Sequence, residues 1–483
     1  MNVLLTGANG YIGKRLLPVL LASGHRVICC VRNRNRMIIP EGTVDRVRIV
    51  EADLEDSQSI TSIPEDIDAA YYLVHSMAAG VKDFSSLEEK TAENFTRRIG
   101  QTKARQIIFL SGISNDKNLS PHLKSRNRVE GILQRGPTPV TILRAGIIVG
   151  SGSASFEIIR DLVEKLPVMV APRWINTRSQ PIAIRDVIRY LDKVLLDERF
   201  YGRTFDIGGP EVLTYHDMLL QYAEVRHLKR YIIAIPVLSP RLSSYWLFFV
   251  TSTSFPLAMN LVDSMKNEVV CRNKELEDIL QVNPITYREA VRHAFQRIEQ
   301  NMVVSSWTDS FTSSAIPAGQ LHHYIRVPQF GCFIDRQRVV IRQDPSQVLD
   351  NIWSIGGKRG WYYANFLWRI RGYIDKLAGG VGLRRGRRNP VEINAGDALD
   401  FWRVLVAERP AGRLLLYAEM KLPGEAWLEF RIEEDTPGIR VLHQQATFRP
   451  NGLAGRLYWY ALLPLHYFVF GGMAANIARY RPA

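Results

Sequence analysis

The chain opens on Met1-Asn-Val-Leu-Leu-Thr6-Gly7-Ala8-Asn9-Gly10-Tyr11-Ile12-Gly13, a short apolar run that breaks into three glycines spaced three residues apart. The pattern predicts a buried strand, a tight turn and the start of a helix. Each glycine has its own task. Gly7 permits the turn, Gly10 lets the backbone approach a pyrophosphate, and Gly13 lets helix and strand pack closely. Free N–H groups and the dipole at the N-terminus of the helix that follows then attract the phosphates. Thr6, Gly7, Asn9, Gly10, Tyr11, Ile12 and Gly13 are therefore the expected dinucleotide cradle.

Further apolar runs follow at 26–31, 47–54, 69–77, 106–112 and 140–144, with helical patterns such as 88–103 between them. Strands alternating with helices predict an α/β chain with a doubly wound parallel sheet. Ligands of such sheets bind outside the carboxyl ends of the strands. Gly7–Gly13, Arg32, Asp53, His75 and Ser111 all fall at such ends. After the second strand an NAD site ordinarily places an acid for the ribose 2′-OH. Here Arg32-Asn-Arg-Asn-Arg36 stands instead. Arginine suits a 2′-phosphate, which favours NADP(H) over NAD(H), with Arg32 as its first candidate partner.

Five ordered motifs now carry a resemblance: residues 6–13, Asp53-Leu54, Leu143–Gly150, Gln180–Val187 and Gly208-Gly-Pro210. Over residues 1–300 they resemble the extended short-chain dehydrogenases/reductases, specifically the atypical, NmrA-like branch. The resemblance implies a Rossmann domain, Asp53 and Leu54 beside the adenine, and a substrate lid built from about residue 150 to 300. The family carries a Ser and then Tyr-x-x-x-Lys, and this chain departs from it. Counting back from Glu130, the Tyr position falls on His122 and the Lys position on Arg126. Ser111 keeps the place of the carbonyl-polarising Ser, or is a simple strand-end hydroxyl. Arg126 is implied to hold the nicotinamide ribose. His122, with an unperturbed pKa of about 6.5, suits proton donation, or is an exposed residue at a helix start after Pro121. His75 stands where it can touch cofactor or substrate.

At 483 residues the chain needs more than one core, and 46% hydrophobic with 23% charged residues describes globular domains. Four cysteines form no CxxC pair, so neither a disulfide framework nor a metal site is expected. The opening apolar run lacks a basic leader, which predicts a cytoplasmic chain without a signal peptide. Residues 242–262 carry no charge and read as a lid or membrane-surface element. Residues 301–322, rich in Ser, Thr and Ala, read as a linker.

From 323 to 483 the pattern changes. A strand at 335–342 precedes a helix capped by Asp344 with Pro345 at its first position. Alternating strands follow at 400–408, 413–420, 426–433 and 440–448, then a long apolar helix at 457–480. This order resembles an α+β helix-grip (START-like) fold. Gly356-Gly357, Gly396-Asp397, Phe401-Trp402, Pro423-Gly424 and Tyr458-Trp459-Tyr460 resemble the uncharacterised domain that follows this kind of reductase in bacterial NAD(P)-binding proteins. A sheet curved round a helix encloses an apolar cavity. Trp361, Tyr362, Tyr363, Trp368, Trp402, Trp427 and Trp459 are its candidate lining.

The net charge of +14 calls for anionic partners. The run Arg384–Arg388 and the uncharged stretch 457–478 suit an anionic bilayer, as a span, a peripheral attachment at the inner membrane or a packed helix. No nucleic-acid signature is present. Two functions are expected. One is an NADP(H)-dependent oxidoreductase on a small apolar carbonyl, isoprenoid-like or lipid substrate. The other is a non-catalytic NADP(H) sensor or membrane-complex assembly factor. Oligomeric state is not legible.

Overall fold

A computed structural model describes residues 1–32, 34, 37, 39, 42–74, 84–115, 119–235, 262–299, 327, 332–357, 359–383, 392–436 and 438–481. His75, the linker at 301–322, residues 242–261 and Arg384–Arg388 lie outside the described residues. The described residues up to 299 form one compact unit, and those from 327 onward form a second.

In the first unit, β1 (Asn2–Thr6), β2 (Arg26–Val31), β3 (Val47–Glu51), β4 (Ala69–Tyr72), β5 (Gln106–Gly112), β6 (Val140–Ala145) and β7 (Thr204–Ile207) make one sheet. Its order is β7-β6-β5-β4-β1-β2-β3, and every pairing is parallel. The order reverses between β1 and β4, the point at which a doubly wound sheet opens a ligand crevice. Side chains alternate across the sheet. Leu5, Cys29 and Tyr71 meet α1 (Gly13–Ala22) and α5 (Ile184–Lys193) on one face. Leu4, Cys30 and Tyr72 meet α2 (Phe84–Ile99) and α3 (Pro121–Gln134) on the other. The neighbouring cysteines thus serve opposite cores, and burial pushes both thiols up to about 12.

The helix expected at 88–103 instead runs from Phe84 to Ile99. It stops at Gly100, where a Cβ would lie 2.8 Å from the Pro137 ring. Beyond β6 a separate core gathers α4 (Ala154–Lys165), α6 (Tyr215–Val225) and α8 (Tyr287–Glu299). The short α7 (Glu275–Leu280) packs Leu276 into the core beneath β7.

The second unit is an antiparallel sheet of β8 (Phe333–Val340), β9 (Ala398–Leu399), β10 (Trp402–Glu408), β11 (Arg413–Ala418), β12 (Gly424–Thr436) and β13 (Ile439–Pro450). Its order is β8-β13-β12-β11-β10-β9, with Phe333 paired to Phe448. Between β8 and β9 lie α9 (Pro345–Trp353) and α10 (Asn365–Leu377). Asp344 caps α9 as the sequence predicts, accepting from the Ser346 N–H at 3.0 Å. α11 (Gly452–Arg479) closes the chain.

Being apolar all round, α11 does two things at once. It buries Trp459, Val469, Phe470, Met473 and Ile477 against the sheet, and it leaves Leu453, Leu457, Tyr460 and Tyr467 exposed. Leu453–Arg479 is long and apolar enough to cross a membrane, and 33% of its most apolar stretch is buried within the unit.

Candidate functional site

The first turn is built as its glycines require. Gly7 takes a φ of +65°, and a Cβ there would lie 2.8 Å from the Leu73 carbonyl oxygen. The Gly10 N–H donates to the Gly7 carbonyl at 2.8 Å, closing the turn. The Thr6 hydroxyl donates to the Tyr71 carbonyl at 2.8 Å and accepts from the Leu73 N–H at 3.2 Å. Thr6 therefore bolts β1 to β4 from inside the sheet rather than facing a phosphate. Asn9 and Gly10 stay half-buried on the turn, and Ile12 packs into the core beneath it. The Tyr11 ring lies 4.0 Å under the Arg15 guanidinium, and Arg15 donates to the Ser151 carbonyl at 2.8 Å. Gly150 makes room for this pair, since a Cβ there would stand 2.7 Å from the Tyr11 hydroxyl.

At the far edge of the crevice, Arg32 is exposed just past β2. Burial and the neighbouring Asp53 raise the Glu55 carboxyl, and Arg32 draws it back down. Arg32, Asp53 and Glu55 therefore share one electrostatic neighbourhood. The Asp53 carboxylate accepts from the Glu55 N–H at 3.0 Å, while the Ser59 hydroxyl accepts from the Asp53 N–H at 2.9 Å. Leu54 is buried, and its carbonyl accepts from Asn94 at 3.0 Å. Glu55 and Asn94 carry no sequence signal of their own. They belong to this edge only because α2 packs beside β3.

The third group sits at the end of β5. Ser111 is 6% exposed, and its hydroxyl has no hydrogen-bond partner among the described residues. Arg126 is 8% exposed on the sheet-facing side of α3. Its guanidinium lies 4.6 Å from the Phe109 ring centre and donates through one nitrogen to the Leu110 carbonyl. The other terminal nitrogen, Nη1, has no partner among the described residues. Burial pulls the Arg126 pKa down, opposed chiefly by Glu88, which itself accepts from Ser125.

The peptide that Arg126 touches is the one leading into Ser111, so the two orphaned polar groups are neighbours. Buried polar atoms are almost always satisfied, and the exceptions mark where something else docks. His122 is half-buried at the second position of α3, just after the cap Ser120, whose hydroxyl accepts from Leu123 at 3.3 Å. Glu130 anchors this helix to β6 through Arg144, at 3.0 Å from Nε.

A cradle that no Cβ tolerates at one end and unpaired donors at the other fit a dinucleotide lying across the switch point. The glycine turn at 7–13 lies at the end of β1, Arg32 and Asp53–Leu54 lie past β2 and β3, and Ser111 and Arg126 lie at the end of β5 and on α3.

In the second unit, Trp368, Trp402, Trp427 and Trp459 line an apolar cavity of about 140 Å³. Trp361, Tyr362 and Tyr363, also expected there, do not. Trp361 donates to the Asp400 carboxylate at 2.6 Å, and Tyr362 donates to the Asn351 carbonyl at 2.9 Å. Tyr363 packs on Phe468. Their partners draw these three rings into the α9–α10 turn and onto α11.

Residues 7–163 match a family model described as NAD(P)H-binding, and the chain carries an NAD(P)H-binding domain there. Residues 331–473 match a family described only as a protein of unknown function, DUF2867. The rice (Oryza sativa subsp. indica) divinyl chlorophyllide a 8-vinyl-reductase, chloroplastic, is 25% identical, over 43% of this chain and 54% of its own length. The mitochondrial NADH dehydrogenase (ubiquinone) 1 alpha subcomplex subunit 9 of Arabidopsis thaliana is 23% identical, over 52% of this chain and 64% of its own. The chain thus spans between half and two thirds of these relatives. Among solved structures, an NADPH-dependent quinone oxidoreductase from Escherichia coli, complexed with NADPH, superposes with a TM-score of 0.50 at 16% identity. That match covers 61% of this chain and 99% of the other, and it shows a shared fold.

Proposed function

We propose that the first unit is an NADP(H)-dependent reductase acting on an apolar carbonyl or isoprenoid-like substrate. The observation that carries this reading is a pair of neighbouring buried groups without partners among the described residues, the Ser111 hydroxyl and Arg126 Nη1. Ser111 ends β5 and Arg126 reaches the same peptide from α3, which supports a nicotinamide half lying there when the dinucleotide occupies Gly7–Gly13. The exposed Arg32, with no acid in its place, favours the 2′-phosphate and so NADP(H). Relatives named as a reductase and a fold neighbour named as NADPH-dependent support the same choice.

The chemistry that NADPH would supply when bound here is hydride donation from its nicotinamide ring. Arg126 Nη1 orients the ribose beside that ring. Ser111 holds the carbonyl oxygen of the substrate, so the carbonyl carbon faces the hydride. His122 delivers the proton that the oxygen takes, and the products are an alcohol and NADP⁺. The second unit, read as a helix-grip (START-like) domain, rests in the cytoplasm against an anionic bilayer at the inner membrane. Two exposed apolar rows support the attachment: Phe366, Ile370 and Tyr373 on α10, and Leu457, Tyr460 and Tyr467 on α11. Because α11 buries its other face in the domain, the attachment is peripheral.

One observation favours a second reading. His122 and Arg126 stand where the family places Tyr and Lys, which suits an NADP(H) sensor or assembly factor without turnover. A relative named as an NADH dehydrogenase (ubiquinone) subunit is consistent with it. NADPH oxidation against a panel of quinone, isoprenoid and steroid-like carbonyls separates the two. Turnover that Ser111→Ala abolishes supports the reductase; micromolar NADPH binding without turnover supports the sensor.

A further inference from the structure

We infer that the cavity of the second unit is a binding site for a neutral, ring-sized apolar molecule that carries a carbonyl oxygen. Its volume, about 140 Å³, sets the size of the ligand. A dry apolar cavity of about 150 Å³ takes up one benzene ring. The walls come from the inner face of the sheet, with Trp402, Ala446 and Phe448, and from α10 and α11, with Trp368, Trp459 and Val469. A ring slotted here displaces no ordered charge and buries its faces against aromatics.

The polar selection comes from three lining side chains. Trp368 Nε1, Trp402 Nε1 and His466 Nδ1 are buried and have no hydrogen-bond partner among the described residues. Trp368 is 8% exposed and Trp402 3%. Indole nitrogen only donates, so two of these groups demand an acceptor. Leaving such a donor unpaired costs about 1–3 kcal/mol. The other indoles of this aromatic cluster fare differently, as Trp361 shows by donating to Asp400 at 2.6 Å.

Among the described lining residues no free cation waits for the acceptor, which favours a neutral one. Arg371, the one guanidinium in the lining, donates to the Lys421 carbonyl at 3.1 Å and lies 4.0 Å from the Asp375 carboxylate. Burial lowers the His466 pKa and so disfavours its cationic form, with Asp335 opposing. A ketone or quinone-type oxygen meets these conditions; a carboxylate does not.

The test uses the full chain without nucleotide, so it stands apart from whether the first unit turns over. Acetophenone and ethylbenzene have nearly the same shape, and only acetophenone has the oxygen. Titration followed by tryptophan fluorescence and calorimetry is expected to give a dissociation constant about tenfold lower for acetophenone, the worth of one or two neutral hydrogen bonds. Benzoate is expected to bind more weakly than acetophenone. Trp402→Phe keeps the ring and removes the donor; it is expected to erase the preference while ethylbenzene still binds. Equal affinities for the two probes in the unmodified chain overturn the proposal, as does the absence of binding at millimolar probe. Retention of the full preference by the double variant W368F/W402F overturns it too.

Discussion

A Cβ on Gly13 would stand 2.3 Å from the Gly7 carbonyl oxygen. The first turn therefore brings the two glycines together across it, and no side chain on Gly13 fits between them. Gly13→Ala is expected to force the turn open. NADPH binding, measured by fluorescence titration, should fall at least tenfold, and the melting temperature of the first unit should drop by several degrees, as about 1–3 kcal/mol of overpacking implies.

Arg32 is placed to choose between cofactors. Arg32→Glu adds a charge beside Asp53 and Glu55 and removes the candidate partner of a 2′-phosphate. NADPH affinity should fall about 10–100-fold, the range for a lost charge-assisted contact, while NADH affinity changes far less. Paired titrations with the two cofactors check this. Equal losses for both remove Arg32 from that role.

Arg126 offers a separate handle on the nicotinamide end. Arg126→Met keeps much of the packing on Phe109 and removes both donors. Expected is a loss of NADPH affinity of about tenfold or more, with a smaller loss for a 2′-phospho-ADP-ribose fragment that lacks the nicotinamide half. If both ligands weaken alike, the guanidinium serves the fold and not the cofactor.

Much of this was legible in the sequence, where the chemistry is local. Gly7–Gly13, the Asp344-Pro345 cap and the alternation that sends Cys29 and Cys30 to opposite cores each lie within a few neighbouring residues. What was not legible depends on residues far away in the chain. Arg126 is set by the Leu110 carbonyl on another element, and nothing in its own segment announces that contact. β7 is four residues long and reveals itself only by pairing with β6. Trp361 and Trp368 look alike in sequence, yet Asp400 takes one indole and nothing among the described residues takes the other. Thr6 read as part of the phosphate cradle because its neighbours are; the Tyr71 carbonyl claims its hydroxyl instead.

The second unit contains a sealed ion pair. Arg403 and Glu419 are 0% and 1% exposed at the side chain, joined at 2.9 and 3.2 Å, with Arg403 also donating to the Gly396 carbonyl at 2.8 Å. Glu419→Ala strands the guanidinium and should cost about 3–5 kcal/mol in urea unfolding of this unit. The double variant R403M/E419L should recover most of the loss, because it leaves no buried charge.

The same unit should weaken in acid. Burial holds the His466 imidazole below its ordinary range. The unfolded chain then binds a proton here that the folded chain refuses, so stability is present above the ordinary value of about 6.5 and is lost as pH falls below it. Scanning calorimetry from about pH 7.5 down to about pH 5.5 should show the transition of this unit moving to lower temperature. His466→Phe should flatten that slope.

The register that pairs Phe333 with Phe448 bears on how the chain is made. β8 leaves the ribosome long before β13, its sole neighbour in the sheet, so it emerges with both edges open and has nothing to pair with. The first unit, whose strands β1 to β6 follow one another closely, can complete its sheet while synthesis continues. The second must wait for its last strand and for α11. A nascent chain paused before β13 is then a folded nucleotide-binding domain trailing an open apolar half-domain, the species that chaperones have most reason to hold.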